Sequence, residues 1–165
     1  MEKNCICRAL LLLPVICGIA MAQQTADSPA KKCAQPQVVV DAKYSPGQVW
    51  SYHTRKGEES STITVLRVES LPKVGVIVHV RVDGIRLKNC SGGPSPMSIG
   101  HSPISKDALD RSVTTMLKQG LAVPDYMEGY KNWREACGGV YTITLGKILD
   151  ADEAAFNSGK SCSSH

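Results

Sequence analysis

The stretch that decides the fold is VGVIVHVRVD, residues 74–83. Its valines recur at every second position, which is the period of an extended strand with one buried face. Valine is also enriched in strands because its branched side chain packs well on a pleated surface. His79 and Arg81 fall on the alternate positions, where we expect solvent. The stretch therefore predicts a half-buried strand of a sheet.

The residues directly after this strand predict a turn. Asp83-Gly84 is typical of a two-residue hairpin, which would return Ile85 and Leu87 to the buried side of the sheet. A bulge within one long strand is the alternative.

Two further strands are predicted upstream. Residues 49–54 alternate, with Trp50 and Tyr52 on one face. Residues 61–70 are rich in β-branched side chains, but their apolar phase changes after Val65, which predicts a bulge or burial on both faces.

Downstream, the pattern changes from strands to helices. Residues 89–103, NCSGGPSPMSIGHSP, have the composition of a loop. Ser105 suits a helix N-cap and Gly120 a helix end. They predict a first helix whose buried stripe is formed by Leu109, Val113, Met116 and Leu117.

Two more helices are predicted, separated by a returning strand at residues 140–144. The second helix begins after Pro124 with Asp125 as its cap, and its inner face is formed by Tyr126, Tyr130, Trp133 and Cys137. The last helix, 145–157, buries Ile148, Leu149 and Phe156. This order of elements predicts an α+β domain, an antiparallel sheet of about four to five strands with two to three helices packed on one face.

The two ends of the chain differ from its middle. Residues 1–22 place a basic start before a short apolar run and close on Ala20-Met21-Ala22, the layout of a secretory signal peptide. A lipid anchor at Cys17 is the competing interpretation, but no small residue precedes that cysteine. Residues 23–43 are interpreted as a polar linker, 44–157 as a single domain and 158–165 as a flexible tail.

Charge and hydropathy argue against two classes of partner. Removing residues 1–22 takes two basic and one acidic residue from totals of 19 and 15, leaving 17 and 14 that are dispersed along the chain. So mild a charge argues against nucleic acid. No second apolar run of about 20 residues follows, so no membrane span is expected in the mature chain. We expect an exported protein, periplasmic or secreted.

Seven cysteines become four once residues 1–22 are removed. An even number in an exported chain predicts two disulfides, with three possible connectivities. Cys33 and Cys162 lie near the two ends, whereas Cys90 and Cys137 end predicted elements, so we favour the pairs Cys33–Cys162 and Cys90–Cys137. Zinc bound by thiolates is disfavoured because no C-x-x-C spacing exists.

The segment HTRKGEE, residues 53–59, holds the leading candidates for catalysis. His53 and Arg55 share a strand face, and Glu58 and Glu59 lie on the turn just beyond, so basic and acidic groups could converge for acid–base work or anion binding. The same residues also suit a solvated hairpin end with a surface ion pair. His79 is a further candidate, provided that its strand neighbours the first.

Three residues are candidates for binding. Trp50 and Tyr52 could form an aromatic platform for a ligand, although core anchoring is the favoured interpretation. His101 could join His53 and His79 in a three-imidazole metal site, which requires two strand pairings that the sequence does not establish. Neither a metal nor another cofactor is expected.

The sequence contains no G-x-S-x-G elbow, phosphate loop or H-E-x-x-H motif. Our leading hypothesis is a non-enzymatic exported binding module whose partner, an unknown protein or ligand of the cell envelope, meets the open face of the sheet or the 89–103 loop. One alternative is a small hydrolase or lyase that uses the cluster at residues 53–59. Another is an exported inhibitor or immunity-type protein that plugs a partner's cleft with the loop.

Three segments, GQVWSYHTRKGEESS (47–61), VGVIVHVRVDGIRLKN (74–89) and GGVYTITL (138–145), together resemble an uncharacterised family of small bacterial domains. The likeness spans residues 44–157 and includes no catalytic motif. It implies a stand-alone domain in a bacterial envelope setting, without a known activity, in which the cysteines are an added feature.

Overall fold

The computed structural model describes residues 33–162. The predicted signal peptide, residues 1–22, and the ends of the linker and tail, residues 23–32 and 163–165, lie outside the described residues. The strands are β1 (Gln37–Val38), β2 (Val49–Tyr52), β3 (Thr62–Leu71), β4 (Gly75–Asp83), β5 (Ser98–Ser105) and β6 (Val113–Lys118). The helices are α1 (Lys106–Asp110), α2 (Met127–Glu135) and α3 (Leu145–Phe156).

The strands form one antiparallel sheet in the order β5-β4-β3-β2-β6, with β1 also paired to β3. Because β4 lies along one side of β3, the strands β1 and β2 share its other side. The predicted α+β class with an antiparallel sheet is confirmed, but the sheet has six strands rather than four to five. β5 and β6 are its edges.

One face of β4 holds the main core. Val78, Val80 and Val82 are buried there as the alternation predicts. Helix α3 covers them with Leu145, Ile148 and Leu149, and α1 adds Ala108 and Leu109. Phe156, which was predicted to point inward from α3, is instead 38% exposed. Burying one such aliphatic side chain contributes roughly 1.5–3 kcal/mol, so this face dominates the stability of the fold.

The prediction for β3 is confirmed. Its register against β4 shifts between Val65 and Arg67, and both Val65 and Leu66 are buried. A bulge therefore changes which side chains of β3 point to each face.

The hairpin predicted at Asp83-Gly84 is wrong. Gly84 has a φ of +77°, but the chain continues alongside the segment before β5, since the Ile85 N–H donates to the Met97 carbonyl at 3.2 Å. The alternative of one long interrupted strand is closer to the structure. Ile85 and Leu87 are buried, as expected.

Two predictions around Ser105 are also wrong. Residues 98–103 of the predicted loop belong to β5, and the predicted helix ends at Asp110, after which the chain forms β6. The β-branched run 113–115 suits a strand paired to β2 better than a helix. The Ser105 cap itself is confirmed, because its side chain accepts from the Ala108 N–H at 3.3 Å.

The returning strand predicted at residues 140–144 is reduced to one parallel bridge between Tyr141 and Ile104. The helices are also not confined to one face. His79 alternates with Val78 and Val80 along β4, and its ring contacts Tyr130 and Trp133 of α2. Helix α2 therefore covers the face opposite to α3.

The disulfide pairing differs from the one that the sequence favoured. Cys33 is linked to Cys137 and Cys90 to Cys162, with Cα–Cα distances of 5.2 and 4.5 Å. The reason is that the N-terminal segment runs beside β3 towards the end of α2, whereas the segment after α3 returns to the loop at Cys90. Helices α2 and α3 are thus each followed by a disulfide, at Cys137 and Cys162 respectively.

Two cysteine pairs at disulfide distance fit an oxidising compartment. Between residues 33 and 162, no helix combines the length and apolar character needed to cross a bilayer.

Candidate functional site

The predicted cluster at residues 53–59 forms only in part. Arg55 binds Glu58 through two hydrogen bonds of 2.5 and 3.0 Å, and Glu58 is buried. Glu58 also accepts from the Arg86 N–H at 2.7 Å. These hydrogen bonds, that from Arg55 foremost, hold the pKa of Glu58 below its usual value. Arg55 also contacts Glu153 of α3 at 3.2 Å.

Both Arg55 and Glu58 are therefore engaged in linking the first turn to α3. Glu59 points elsewhere and accepts from the Gly57 N–H at 2.7 Å. His53 is exposed, and its backbone N–H donates to the Ser112 carbonyl. The convergence of His53 with the acidic residues is not present.

The proposed aromatic platform is also absent, because Trp50 and Tyr52 are buried in the core. Their polar atoms are satisfied internally. The indole N–H of Trp50 donates to Gln48, and the Tyr52 hydroxyl lies 2.7 Å from the Ser61 hydroxyl. Neither ring is available to an external ligand.

A different cluster lies on the α2 face of the sheet. His79, which the sequence placed in solvent, is fully buried there, and so is Glu69 of β3. The Nδ1 atom of His79 lies 2.8 Å from Nε2 of His101, which is carried by β5. His53 takes no part because β3 separates β2 from β4. The sequence predicted His79 and His101 together only as two of the three ligands of a metal site.

Glu69 lies on the other side of His79 from His101, and its carboxylate accepts hydrogen bonds. It accepts from the Arg67 guanidinium at 2.5 Å and from the Tyr130 hydroxyl at 2.9 and 3.1 Å. Its Oε2 atom lies 3.2 Å from Nε2 of His79, at an angle outside that of a hydrogen bond. The contact is therefore electrostatic, and it joins a carboxylate and two imidazoles in series as Glu69–His79–His101.

Both imidazoles are neutral at pH 7. Burial, together with the smaller effects of the neighbouring His101 and Arg67, lowers the pKa of His79 to about 3. Burial also lowers the pKa of His101, although Glu69 acts in the opposite direction. One hydrogen bond therefore joins the two neutral rings, and the tautomers decide which ring donates it.

The Glu69 carboxylate selects one tautomer. A lone pair on Nε2 of His79 would face negative charge at 3.2 Å, so the proton lies on that nitrogen. Nδ1 of His79 then accepts, and Nε2 of His101 donates to it. Nδ1 of His101 is left with a lone pair, and no group within residues 33–162 is hydrogen bonded to it.

Helix α2 covers the histidine pair with aromatic rings. Tyr130 and Trp133 meet His79 edge to face at centroid distances of 5.4 and 4.8 Å, and Tyr126 stacks over His101 at 6.4 Å. The sequence placed these rings on one helical face, but as part of an ordinary hydrophobic core. Their spacing of i, i+4 and i+7 brings them over the polar cluster instead.

His101 lies in the wall of a cleft of about 660 Å³, a volume in the range of small-molecule sites. The cleft runs along the edge of β5 between α2 and α3. It is lined by Ile99, His101, Ser102, Pro103, Gly129, Trp133, Gly139, Val140, Tyr141 and Asp152.

The polar groups of the cleft are few and defined. Tyr141 donates to Asp152 at 2.9 Å, and burial raises the pKa of both groups, that of Tyr141 to about 12. The Ser102 hydroxyl is buried and has no hydrogen-bond partner among the described residues. An unsatisfied buried hydroxyl costs stability, and this one is enclosed rather than open to the cleft.

A glycine in mid-helix fits the wall of this cleft. A Cβ at Gly129 of α2 would come within 2.8 Å of the Cβ of His101. Glycine costs about 1 kcal/mol in a helix relative to alanine, and here it allows α2 to approach the histidine.

Sequence reasoning missed Glu69, Ser102 and Asp152. Glu69 had a usable indication, since it is a charged residue within a strand of mostly β-branched and apolar residues. Ser102 and Asp152 had none, because their positions depend on β5 and on how α3 docks. No cluster of three His, Cys, Asp or Glu residues in the described part of the chain is arranged to hold a metal.

No protein-family profile, curated protein or solved structure matches the chain. The resemblance to small bacterial domains therefore stays a prediction. Any function must be argued from the site itself.

Proposed function

We propose that the protein is an exported binding module of the cell envelope and that its ligand occupies the cleft beside β5. The observation that carries the proposal is the cleft itself, whose wall contains the His101 ring and the hydrogen-bonded pair of Tyr141 and Asp152. A mostly apolar cavity with a few oriented polar groups is the usual form of a ligand site. The disulfides support export, and they hold α2 and α3 on either side of the cleft.

A side chain introduced at Gly139 tests the proposal. This glycine lines the cleft, a Cβ there would meet nothing within 4 Å, and its φ is not in the left-handed region, so Gly139→Leu fills the cleft without strain. We expect that some members of a panel of amino acids, oligosaccharides and short peptides raise the Tm of the wild type but not of Gly139→Leu.

Gly100→Leu is the matched control, because it adds the same side chain to an exposed glycine of β5 that does not line the cleft. It should respond to the panel like the wild type. A panel that leaves the wild type unchanged at millimolar concentration, or that raises the Tm of Gly139→Leu equally, would contradict the proposal.

A second candidate function is acid–base catalysis by His101, which the series Glu69–His79–His101 favours. A neutral imidazole with one nitrogen held by a hydrogen bond and the other left as an acceptor suits a general base, and here His79, next to Glu69, holds Nε2 of His101. It replaces the hydrolase or lyase hypothesis built on residues 53–59, whose charged groups are engaged with one another and with α3. Turnover of a cleft ligand that is lost in His101→Gln but kept in His53→Gln would favour the enzyme over the binding module.

In the inhibitor hypothesis, the segment that would enter a partner's cleft is the loop at residues 89–97. It is shorter than the loop predicted from the sequence and is held by the Cys90–Cys162 disulfide. Deleting residues 92–95 should abolish its binding to a partner while the cleft ligand still binds. The cleft favours the binding module over this alternative.

A further inference from the structure

The cleft presents acceptors rather than donors. Asp152 keeps one carboxylate oxygen beyond the one that Tyr141 occupies, and His101 offers the lone pair of Nδ1. A lysine ammonium carries three N–H donors and no acceptor, so its requirements match those of the cleft.

The charge of the cleft points to the same ligand. Among the described residues that line the cleft, Asp152 is the only acidic one and none is a lysine or arginine. With His101 neutral, the lining therefore carries one negative charge. The rings of Trp133 and Tyr141 add aromatic surface, which attracts cations through the π-face.

The wall formed by β5 points to a peptide as the carrier of this cation. Within residues 33–162, β5 is an edge strand, and only a short segment pairs with its outer side. There the Tyr141 N–H donates to the Pro103 carbonyl at 3.0 Å, and the Ser105 N–H donates to the Tyr141 carbonyl at 2.9 Å. Counting back from Ser105 and Pro103, the alternation places the N–H and C=O of His101 on this same outer side, next to the register shift of β5 between Ser102 and Ile99. An extended chain can continue the pairing that residue 141 begins.

We propose that the cleft binds an extended peptide segment, which pairs with the free edge of β5 and places a lysine ammonium against Asp152. This inference rests on the proposed binding function and names its ligand. The backbone pairing supplies affinity, and the carboxylate supplies selectivity for the basic side chain.

The test uses a fluorescent, capped pentapeptide of valine and threonine with one central lysine, titrated into the full disulfide-bonded protein and followed by anisotropy. We expect saturable binding to the wild type and at least about tenfold weaker binding of the same peptide with glutamate in place of lysine. Asp152→Asn keeps an acceptor for Tyr141 but removes the charge, and it should lose at least about tenfold in affinity for the lysine peptide.

Asp150→Asn is the matched control, because it removes a carboxylate from the same helix at an exposed position outside the cleft. Its affinity should equal that of the wild type. A peptide N-methylated at the residues flanking the lysine tests the strand pairing and should not bind.

Equal binding of the lysine and glutamate peptides, or an unchanged affinity in Asp152→Asn, would overturn the assignment of the cation. Equal binding of the N-methylated peptide or of a capped single lysine would overturn the strand pairing. If instead a neutral oligosaccharide binds in a manner blocked by Gly139→Leu while no peptide does, this inference fails and the proposed binding function stands.

Discussion

The two faces of β4 are built from different chemistry on the same strand. On one face, Val78 and Val80 lie under the aliphatic side chains of α3. On the other, His79 lies under the aromatic rings of α2, with a buried carboxylate next to it. The first face is what a small domain needs to fold, whereas the second buries polar groups that cost stability. A polar face that costs stability is retained when it serves a function. The cleft lies at the border of this face.

The largest difference between the faces should follow from removing their disulfides. The Cys33–Cys137 bond closes a separation of 104 residues and Cys90–Cys162 one of 72, so removing either should lower the free energy of unfolding by about 2–5 kcal/mol. We expect Cys33→Ser with Cys137→Ser to speed amide hydrogen exchange throughout α2, because few aliphatic contacts hold that helix. Cys90→Ser with Cys162→Ser should leave α3 protected. Equal loss of protection in both helices would show that the faces do not differ in this way.

The α3 face should respond strongly to a single truncation. Leu149→Ala removes a fully buried side chain and should lower the free energy of unfolding in urea by about 2–5 kcal/mol. Phe156→Ala, at a half-exposed site on the same helix, should cost less than about 1 kcal/mol. Similar losses for the two variants would contradict the assignment of the core to this face.

The α2 face should respond to pH. The pKa of His79 is lower in the folded state, at about 3, than in the unfolded state, so protons bind preferentially to the unfolded chain. This stabilisation is complete above about pH 6.5 and is lost as the pH falls towards 3, by up to about 1.4 kcal/mol per unit. His79→Gln should reduce that slope, and His53→Gln, at an exposed site, should not. Urea unfolding between pH 7 and pH 4 measures both, and equal slopes in all three proteins would refute the assignment.

A smaller effect concerns the position of a single proton on the histidine pair of the α2 face. Glu69→Gln removes the negative charge that selects the tautomer of His79, and it should cost about 1 kcal/mol of stability because hydrogen-bond partners are kept. Nitrogen NMR of His101 should show Nδ1 unprotonated in the wild type and a mixture of tautomers in the variant. Glu59→Gln, at the exposed turn, is the control. A mixture of tautomers already present in the wild type would contradict the tautomer assigned to the histidine pair.

Much of the aliphatic face could be predicted from the sequence, because a strand with one buried face repeats every two residues. The pattern at residues 74–83 and the bulge in β3 followed from it, whereas the inward positions of Ile148 and Leu149 followed from the helical spacing of α3. The helix predicted beyond Asp110 failed because Leu109, Val113 and Leu117 repeat at helical spacing by coincidence. Pairing with β2 decides the conformation of residues 113–118, and a local pattern does not contain that pairing.

The polar face could not be predicted for a related reason. His79 occupies the position of an exposed residue in the alternation, and only the docking of α2 buries it. The aromatic spacing of Tyr126, Tyr130 and Trp133 was visible, but the sequence does not say which face of which strand a helix covers. The cleft residues come from three elements that are distant in the chain, so their meeting depends on the complete fold.

Pro103 has one more consequence for the edge of the sheet. It has no N–H, so the outer side of β5 presents an interrupted row of donors. Two copies of the molecule cannot join their β5 strands along the whole length, which guards against fibril-like association. The same interruption restricts the edge to a short partner, so a protein that exposes unpaired backbone can still stay dispersed at high concentration.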